Sequence, residues 1–298
     1  MYRRAIFDNP GLKLMLYGAA GSTKTRTAAT AAADPRTSPC LMLEMGGNPV
    51  SIRQYEKKPD VISCDALDDF NPFYNWLAGG QKLNDPIVGA LGLHPPYKCV
   101  IIDGMTEVQR YAFAIVTGAK DTKPGTIPAT AEIQHFNKTL GLMINFARLF
   151  IKLPLHVIIT SLEAEKPNSQ GTNNFRPLLW GQAAGEVAGF PYMVMRLVHR
   201  TRLDAKTLAS FDEPLDPKAP IVSVGLLKQA GTYYAKDQYG TGLTQIIEPS
   251  ITKILDAIEA AGSPINLPDP VSPPSTESEP EPDSVPTNQE QSTNPKTN

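Results

Sequence analysis

The sequence predicts an α/β protein with a mainly parallel central sheet flanked by helices and antiparallel strands at the C-terminal side. Three observations carry this. Compact apolar runs without clean alternation recur at 12–17, 40–43, 98–102 and 156–160, as in strands covered on both faces. Helical patterns lie between them, the order of a parallel sheet with crossover helices. Beyond residue 190 the runs become strand-like segments joined by turns, which extend a sheet by antiparallel pairing.

Each element follows from its residues. The run 12–17 is LKLMLY, and the Ala-rich stretch 24–33 behind it is helical because Ala has the best helix propensity. The runs 40–43 and 98–102 are further strands, the second leading into Asp103-Gly104, a pair that turns well. Over 131–152, Ile133, Phe136, Leu140, Met143, Ala147 and Phe150 recur at steps of three and four, one face of a long helix. Pro154 ends it, and 156–160 is the next strand. The segments 192–198, 221–227 and 232–235 complete the strands, and no internal repeat is visible.

Charge divides the 298 residues into unlike parts. Residues 263–298 hold nine Pro, six acidic residues and one basic residue, leaving 27 basic and 24 acidic residues in 1–262. The body thus carries about +3 and the tail about −5, which excludes a strongly basic DNA-coating protein but not a local groove for nucleic acid. The expected organisation is one domain over 1–262 and a disordered, Pro-rich acidic tail over 263–298. The tail either solubilises or mimics phosphates and competes for a basic groove on the body. Cys40, Cys64 and Cys99 are an odd number without metal-ligand spacing, so neither a disulfide framework nor a zinc site is expected. MYRRAIFD has no apolar run behind it and no stretch nears the roughly 18 apolar residues of a membrane span. A cytoplasmic, membrane-free protein is expected.

The chemical signal lies at 16–25, LYGAAGSTKT, after an apolar strand and at the head of a helix, the setting of a Walker A loop. Polyphosphate needs successive backbone N–H groups and a helix N-terminus with no side chain intruding. Gly18, Ala19, Ala20, Gly21, Ser22 and Thr23 would form that wrap around ATP. Lys24 would neutralise the β- and γ-phosphates and the Thr25 hydroxyl would hold Mg2+. Thr23 stands where the final Gly of G-x-x-x-x-G-K-[ST] belongs, and its Cβ strains the loop or crowds the phosphate. YKCVIIDG at 97–104 supplies Asp103 at the sheet's C-terminal edge as the second Mg2+ ligand, through water. Gly104, not Glu, follows, so the base that activates water comes from elsewhere.

These motifs resemble the phage RecA-like single-strand annealing ATPases, a branch of the RecA/DnaB group of P-loop proteins. The resemblance spans about 12–260 and rests on LYGAAGSTKT, LMLEMGGNP, YKCVIIDGMTEV, LPLHVIITS and AKDQYGTG in that order, with a closing helix. It implies a RecA-like fold, ATP and Mg2+ as cofactors, and a homo-oligomeric ring or filament. Single-stranded DNA is the implied partner, with a single-strand DNA-binding protein as a further one, in the host cytoplasm if a phage encodes the chain. The group's catalytic Glu aligns with Gly46. Glu44, one strand period earlier, faces the same way and can substitute; a plain strand-end charge is the alternative, and Glu107 is the rival base. Thr160 and Ser161 fall where the group senses the γ-phosphate. Lys236 falls in the segment that group members insert into a neighbour's ATP site as Lys-x-Arg, with Gln238 replacing the Arg; an exposed hairpin Lys is the alternative. Thr23, Gly46 and Gln238 together point to nucleotide binding with slow, DNA-stimulated hydrolysis.

The DNA contact is expected in the polar, Gly/Asn-rich stretch 163–180, EAEKPNSQGTNNFRPLLW, a loop where the resemblance implies a DNA-facing one. Lys166, Phe175, Arg176 and Trp180 there suit phosphate contact plus base stacking. A second loop, 118–131, contributes Lys120 and Lys123, while Arg196, His199, Arg200 and Arg202 add positive charge. Each feature alone also fits a solvated surface. The expected function is ATP-dependent annealing or recombination of single-stranded DNA; the alternatives are a DnaB-type helicase core and a nucleotide-binding regulatory module with little turnover.

Overall fold

In the computed structural model, the described residues are 11–45, 47, 49–79, 97–118, 131–167, 173–201, 220–229, 231–263 and 265. The strands are β1 (Lys13–Gly18), β2 (Cys40–Glu44), β3 (Asp60–Ser63), β4 (Cys99–Asp103), β5 (His156–Pro167), β6 (Asn173–Pro177), β7 (Met193–Thr201), β8 (Ile221–Leu226), β9 (Lys236–Asp237) and β10 (Gln245–Ile247). The helices are α1 (Lys24–Ala29), α2 (Phe70–Leu77), α3 (Met105–Thr117), α4 (Ile133–Ile151), α5 (Ala183–Gly189) and α6 (Ile251–Ala260). The strands form one sheet in the order β10-β8-β7-β1-β5-β4-β2-β3, with β6 beside β5 and β9 beside β7. From β7 to β3 all pairs are parallel, and β8 and β10 add to that edge antiparallel, as the sequence predicts.

The missing alternation in the apolar runs has a direct cause. Met15, Tyr17, Leu43, Ile102 and Ile159 face one core, packed by α2 to α5, while Leu14, Leu16, Met42, Ile101 and Ile158 face another under α1 and α6. Successive residues point to opposite faces, so a strand buried twice is apolar at successive positions; the charged exception in β1, Lys13, is buried with its ammonium donating to the Leu153 and Leu155 carbonyls. Each fully buried Leu or Ile contributes about 1.5–3 kcal/mol.

Register positions the site. Between β1 and the strand ending in Asp103 lies β5, whose Thr160 pairs with Leu16 and whose Ile159 pairs with Ile102. The ends of β1 and β4 therefore flank Thr160 of β5 at the C-terminal edge, where ligands of open α/β sheets bind.

Several elements differ from expectation. The predicted helix 24–33 is α-helical only over α1 and tightens to a 3-10 turn at Thr30–Ala33. The Thr30 hydroxyl donates to the Thr27 carbonyl at 2.6 Å and accepts from the Ile251 amide at 2.8 Å, tying α1 to the start of α6. In α4, Met143, Ala147 and Phe150 are buried as expected, but Ile133 at its start is 81% exposed. The expected loop 163–180 is mostly a β-hairpin: β5 continues to Pro167 and returns as β6. Its arms are polar, yet Glu163, Ala164 and Phe175 are inward partners of Arg196, the β6 backbone and Tyr233, and those contacts outweigh a loop-like composition. Over 232–235 only Tyr233 bridges, to Phe175, and the short strand β9 follows at Lys236–Asp237.

Lys120, Lys123, Arg202 and Gly46 lie outside the described residues, as does the tail from 266 onward. Ser263 and Ile265, at the head of the expected tail, pack on the body: Ser263 Oγ donates to the Tyr239 carbonyl at 3.0 Å and Ile265 is fully buried. No helix among the described residues is long and apolar enough to cross a membrane.

Candidate functional site

The segment from Gly18 to Thr25 joins β1 to α1 at the sheet's C-terminal edge. Gly18 is required there, because a Cβ would come within 2.4 Å of the Leu197 carbonyl oxygen. The loop then turns through Ala19 and Ala20, whose side chains are exposed, and is closed by the Ser22 amide donating to the Ala19 carbonyl at 3.1 Å. Thr23, at the foot of α1, is left-handed at φ 68° and ψ 16°, a region that a β-branched residue seldom enters. The strain expected from its Cβ is thus present as backbone strain. Thr23 Oγ1 lies 2.9 Å from Ser223 Oγ on β8. Lys24 folds over the loop, donating to the Gly18 and Ala19 carbonyls at 3.0 and 2.8 Å. Burial lowers its pKa, and the charges of Asp103 and Glu163 oppose that shift. A cation half-removed from water and held by neutral groups, these two carbonyls and the Ser22 hydroxyl at 3.4 Å, is poised to donate to anionic oxygens.

Behind the loop lies a chain of hydroxyls and a carboxylate. Thr25 Oγ1 donates to Asp103 Oδ2 and Oδ1 at 2.8 and 3.1 Å, and Thr160 Oγ1 donates to Oδ1 of the same carboxylate at 2.5 Å while accepting from the Gly104 amide at 3.0 Å. Gly104 has φ 111°, and a Cβ would sit 2.8 Å from the Met45 carbonyl oxygen. Only Gly lets β4 turn away directly after Asp103. Glu44 pairs in register with Asp103 across β2 and β4 and is 7% exposed. Its pKa is raised, first by burial and then by the Asp103 charge, so this carboxyl holds a proton more readily than a free one. The rival Glu107 sits on α3 with its carboxylate taken up by Arg110 at 2.5 Å. Ser161 turns from the site to the Thr106 hydroxyl at 3.2 Å.

The structure brings Lys24, Thr25, Asp103, Thr160 and Glu44 to one edge. Lys236 is not among them: it lies opposite Val194, and its ammonium donates to the carbonyls of Gly189 and Pro191 at 2.6 and 2.8 Å. Of the expected DNA residues, Lys166 is exposed on the hairpin arm and Arg176 lines a cleft of about 210 Å3 with Asn174, Tyr233 and Tyr234. Phe175 is engaged internally, because the Arg196 guanidinium lies 3.7 Å from its ring centre. Arg196 is itself buried and paired with Glu163 at 2.6 Å, so it adds no surface charge. Trp180 packs edge-on against Phe113 and Phe136.

Sequence reasoning missed Ser223, and took His199 only as added positive charge rather than as a neighbour of the loop. Ser223 and His199 touch the loop, and with Thr23, Arg26, Thr30 and Tyr55 they line a cleft of about 360 Å3 beside α1. Nothing local marks them, since Ser223 is 200 residues from its partner.

The residues present fit ATP with Mg2+. The exposed loop residues Ala19, Ala20 and Gly21 set no large side chain in the way of phosphates, and the Thr25 hydroxyl with the Asp103 carboxylate forms the all-oxygen donor set that Mg2+ takes. No protein-family model matches the chain, and no curated protein does. Among solved structures it is similar to a KaiC-like protein, PH0186, from the hyperthermophilic archaeon Pyrococcus horikoshii OT3. The two share 13% identity over 75% of this chain and 80% of that one, with a TM-score of 0.38. So loose a superposition carries no argument by itself. The chain's own strand order, with β5 between the phosphate-loop strand and the Asp103 strand, and the site at their common edge define a mainly parallel α/β fold with a phosphate-loop type of site.

Proposed function

We propose that the chain binds ATP·Mg2+ and acts as a RecA-like ATPase in annealing or recombination of single-stranded DNA. The observation that carries the nucleotide part is the Thr25–Asp103–Thr160 chain beneath the Lys24 loop. Lys24 exchanges the Gly18 and Ala19 carbonyls for phosphate oxygens, and Thr25 and Asp103 hold the metal. Thr160 fixes the carboxylate's orientation. Bound Mg2+ would supply charge neutralisation at the β- and γ-phosphates. Glu44, its basicity raised by burial, accepts the proton of the attacking water. The cleft beside α1, with Tyr55 and Arg26 on its wall, has room for the nucleoside.

The DNA part rests on the resemblance of the sequence motifs to phage annealing ATPases and on the exposed hairpin arm bearing Lys166, next to Arg176 in its cleft. Lys166 and Arg176 contact phosphates, and the Phe175–Arg196 stack holds the hairpin's shape. Assembly into a ring or filament, with Lys236 released from its carbonyls to reach a neighbour, belongs to the same reading. A second reading, a nucleotide-binding module with little turnover, is favoured by that capture of Lys236 and by Gln238 beside it.

ATP turnover with and without single-stranded DNA tests the proposal. DNA-stimulated phosphate release, lost in Lys24→Ala, supports the annealing ATPase. ATP binding without stimulated turnover leaves the regulatory module. Unchanged ATP affinity in folded Lys24→Ala removes the nucleotide site.

A further inference from the structure

His199 on β7 and Ser223 on β8 are directly opposite residues of an antiparallel pair, and both reach the phosphate loop. His199 Nε2 lies 3.1 Å from the Gly21 carbonyl oxygen; since a carbonyl only accepts, this nitrogen carries the proton. Ser223 Oγ lies 2.9 Å from Thr23 Oγ1. The pair therefore grips the loop at two alternate residues, just before Lys24. The second grip is on the left-handed Thr23, at φ 68°. Left-handed backbone is disfavoured for a β-branched residue and easy for Gly. The Ser223 strand is itself anchored, because the Glu248 amide donates to the Ser223 carbonyl at 2.7 Å.

We propose that the His199–Ser223 pair is the positioning device of this phosphate loop: it holds Thr23 in the left-handed turn by a side-chain contact, where glycine would adopt that turn unaided. The inference rests on the nucleotide reading of the loop and deepens it. Phosphate affinity is then under the control of the β7–β8 edge. Because Thr23, His199 and Ser223 also line the cleft beside α1, a nucleoside seated there touches the same grip that sets the phosphate cradle.

The test is a double-mutant cycle read in two ways: affinity for a fluorescent ATP analogue with Mg2+, and hydrogen exchange of amides 19–24 without nucleotide. Ser223→Ala should weaken binding about tenfold, the scale of one hydrogen bond, and speed exchange in the loop. Ser223→Thr keeps the hydroxyl and should bind like the parent. Thr23→Gly should bind at least as well as the parent, and Ser223→Ala should cost nothing further in that background. An equal loss from Ser223→Ala in both backgrounds would overturn the proposal, as Ser223 would then support only its strand. So would parental affinity in Ser223→Ala alongside lost binding in Lys24→Ala. If Lys24→Ala binds like the parent, the nucleotide reading fails instead, and the exchange data still decide whether Ser223 holds Thr23.

Discussion

At the scale of single residues, the site separates holding a nucleotide from reacting with it. Lys24, Thr25 and Asp103 are tied to one another or to the loop, whereas Glu44 is buried beside Asp103 with its pKa raised. Glu44→Gln keeps shape and removes the base, so turnover should fall about 10²–10⁴-fold while ATP affinity stays within about twofold. Equal turnover in Glu44→Gln would move the role to another group. His156 makes an independent test of the fold. It is fully buried, its Nδ1 accepts from the Leu12 amide at 2.9 Å, and burial, aided by the Lys13 charge, lowers its pKa to about 4 from 6.5. Between those values the unfolded chain binds the extra proton, so stability is full above pH 6.5 and is lost as pH falls toward 4. The loss amounts to about 3 kcal/mol. Urea midpoints measured across that window should fall in the parent and stay flatter in His156→Asn, which keeps an acceptor for Leu12.

At the scale of elements, what was legible in the sequence is what is local. LYGAAGSTKT and VIIDG each carry their own strand and turn, so β1, β4, Lys24, Thr25 and Asp103 lie where those motifs put them. The hairpin of β5 and β6 was hidden because its stabilising partners, Arg196 and Tyr233, come from other segments, while its own residues are polar. The cluster NSQGTN between two arms was the signal available for a hairpin turn. The His199–Ser223 grip was illegible for the same reason, since it depends on register between strands far along the chain. The β4–α3 junction gives this scale its prediction. Gly104→Ala meets both φ 111° and the Met45 carbonyl at 2.8 Å, so it should cost about 2–4 kcal/mol. Thermal unfolding checks this. A parental Tm would show that the junction relaxes.

At the scale of the whole molecule, two predictions concern contacts beyond one protomer or one domain. Lys236→Ala should leave ATP binding by isolated protomers intact and depress turnover in the assembly. Mixing it with Lys24→Ala should restore activity, because a mixed interface can join one intact Lys24 site to one intact Lys236. No rescue in assemblies shown to be mixed leaves Lys236 as a brace for the carbonyls of Gly189 and Pro191. The acidic stretch is best removed after Ile265, which is part of the core. If residues 266–298 compete with DNA, truncation should tighten binding at low salt, and the gain should shrink as the Debye length falls to about 8 Å at physiological ionic strength. Equal affinities at low salt leave only a solubilising role. The continuous strand β5 has a mechanical corollary. It fixes Thr160 on Asp103 near its middle and runs on to Pro167 at the hairpin. Seven residues at about 3.3 Å each make a lever arm of about 23 Å. A tilt of about 5° about Thr160 would thus sweep the hairpin end through about 2 Å, turning a displacement within the phosphate site into travel at Lys166.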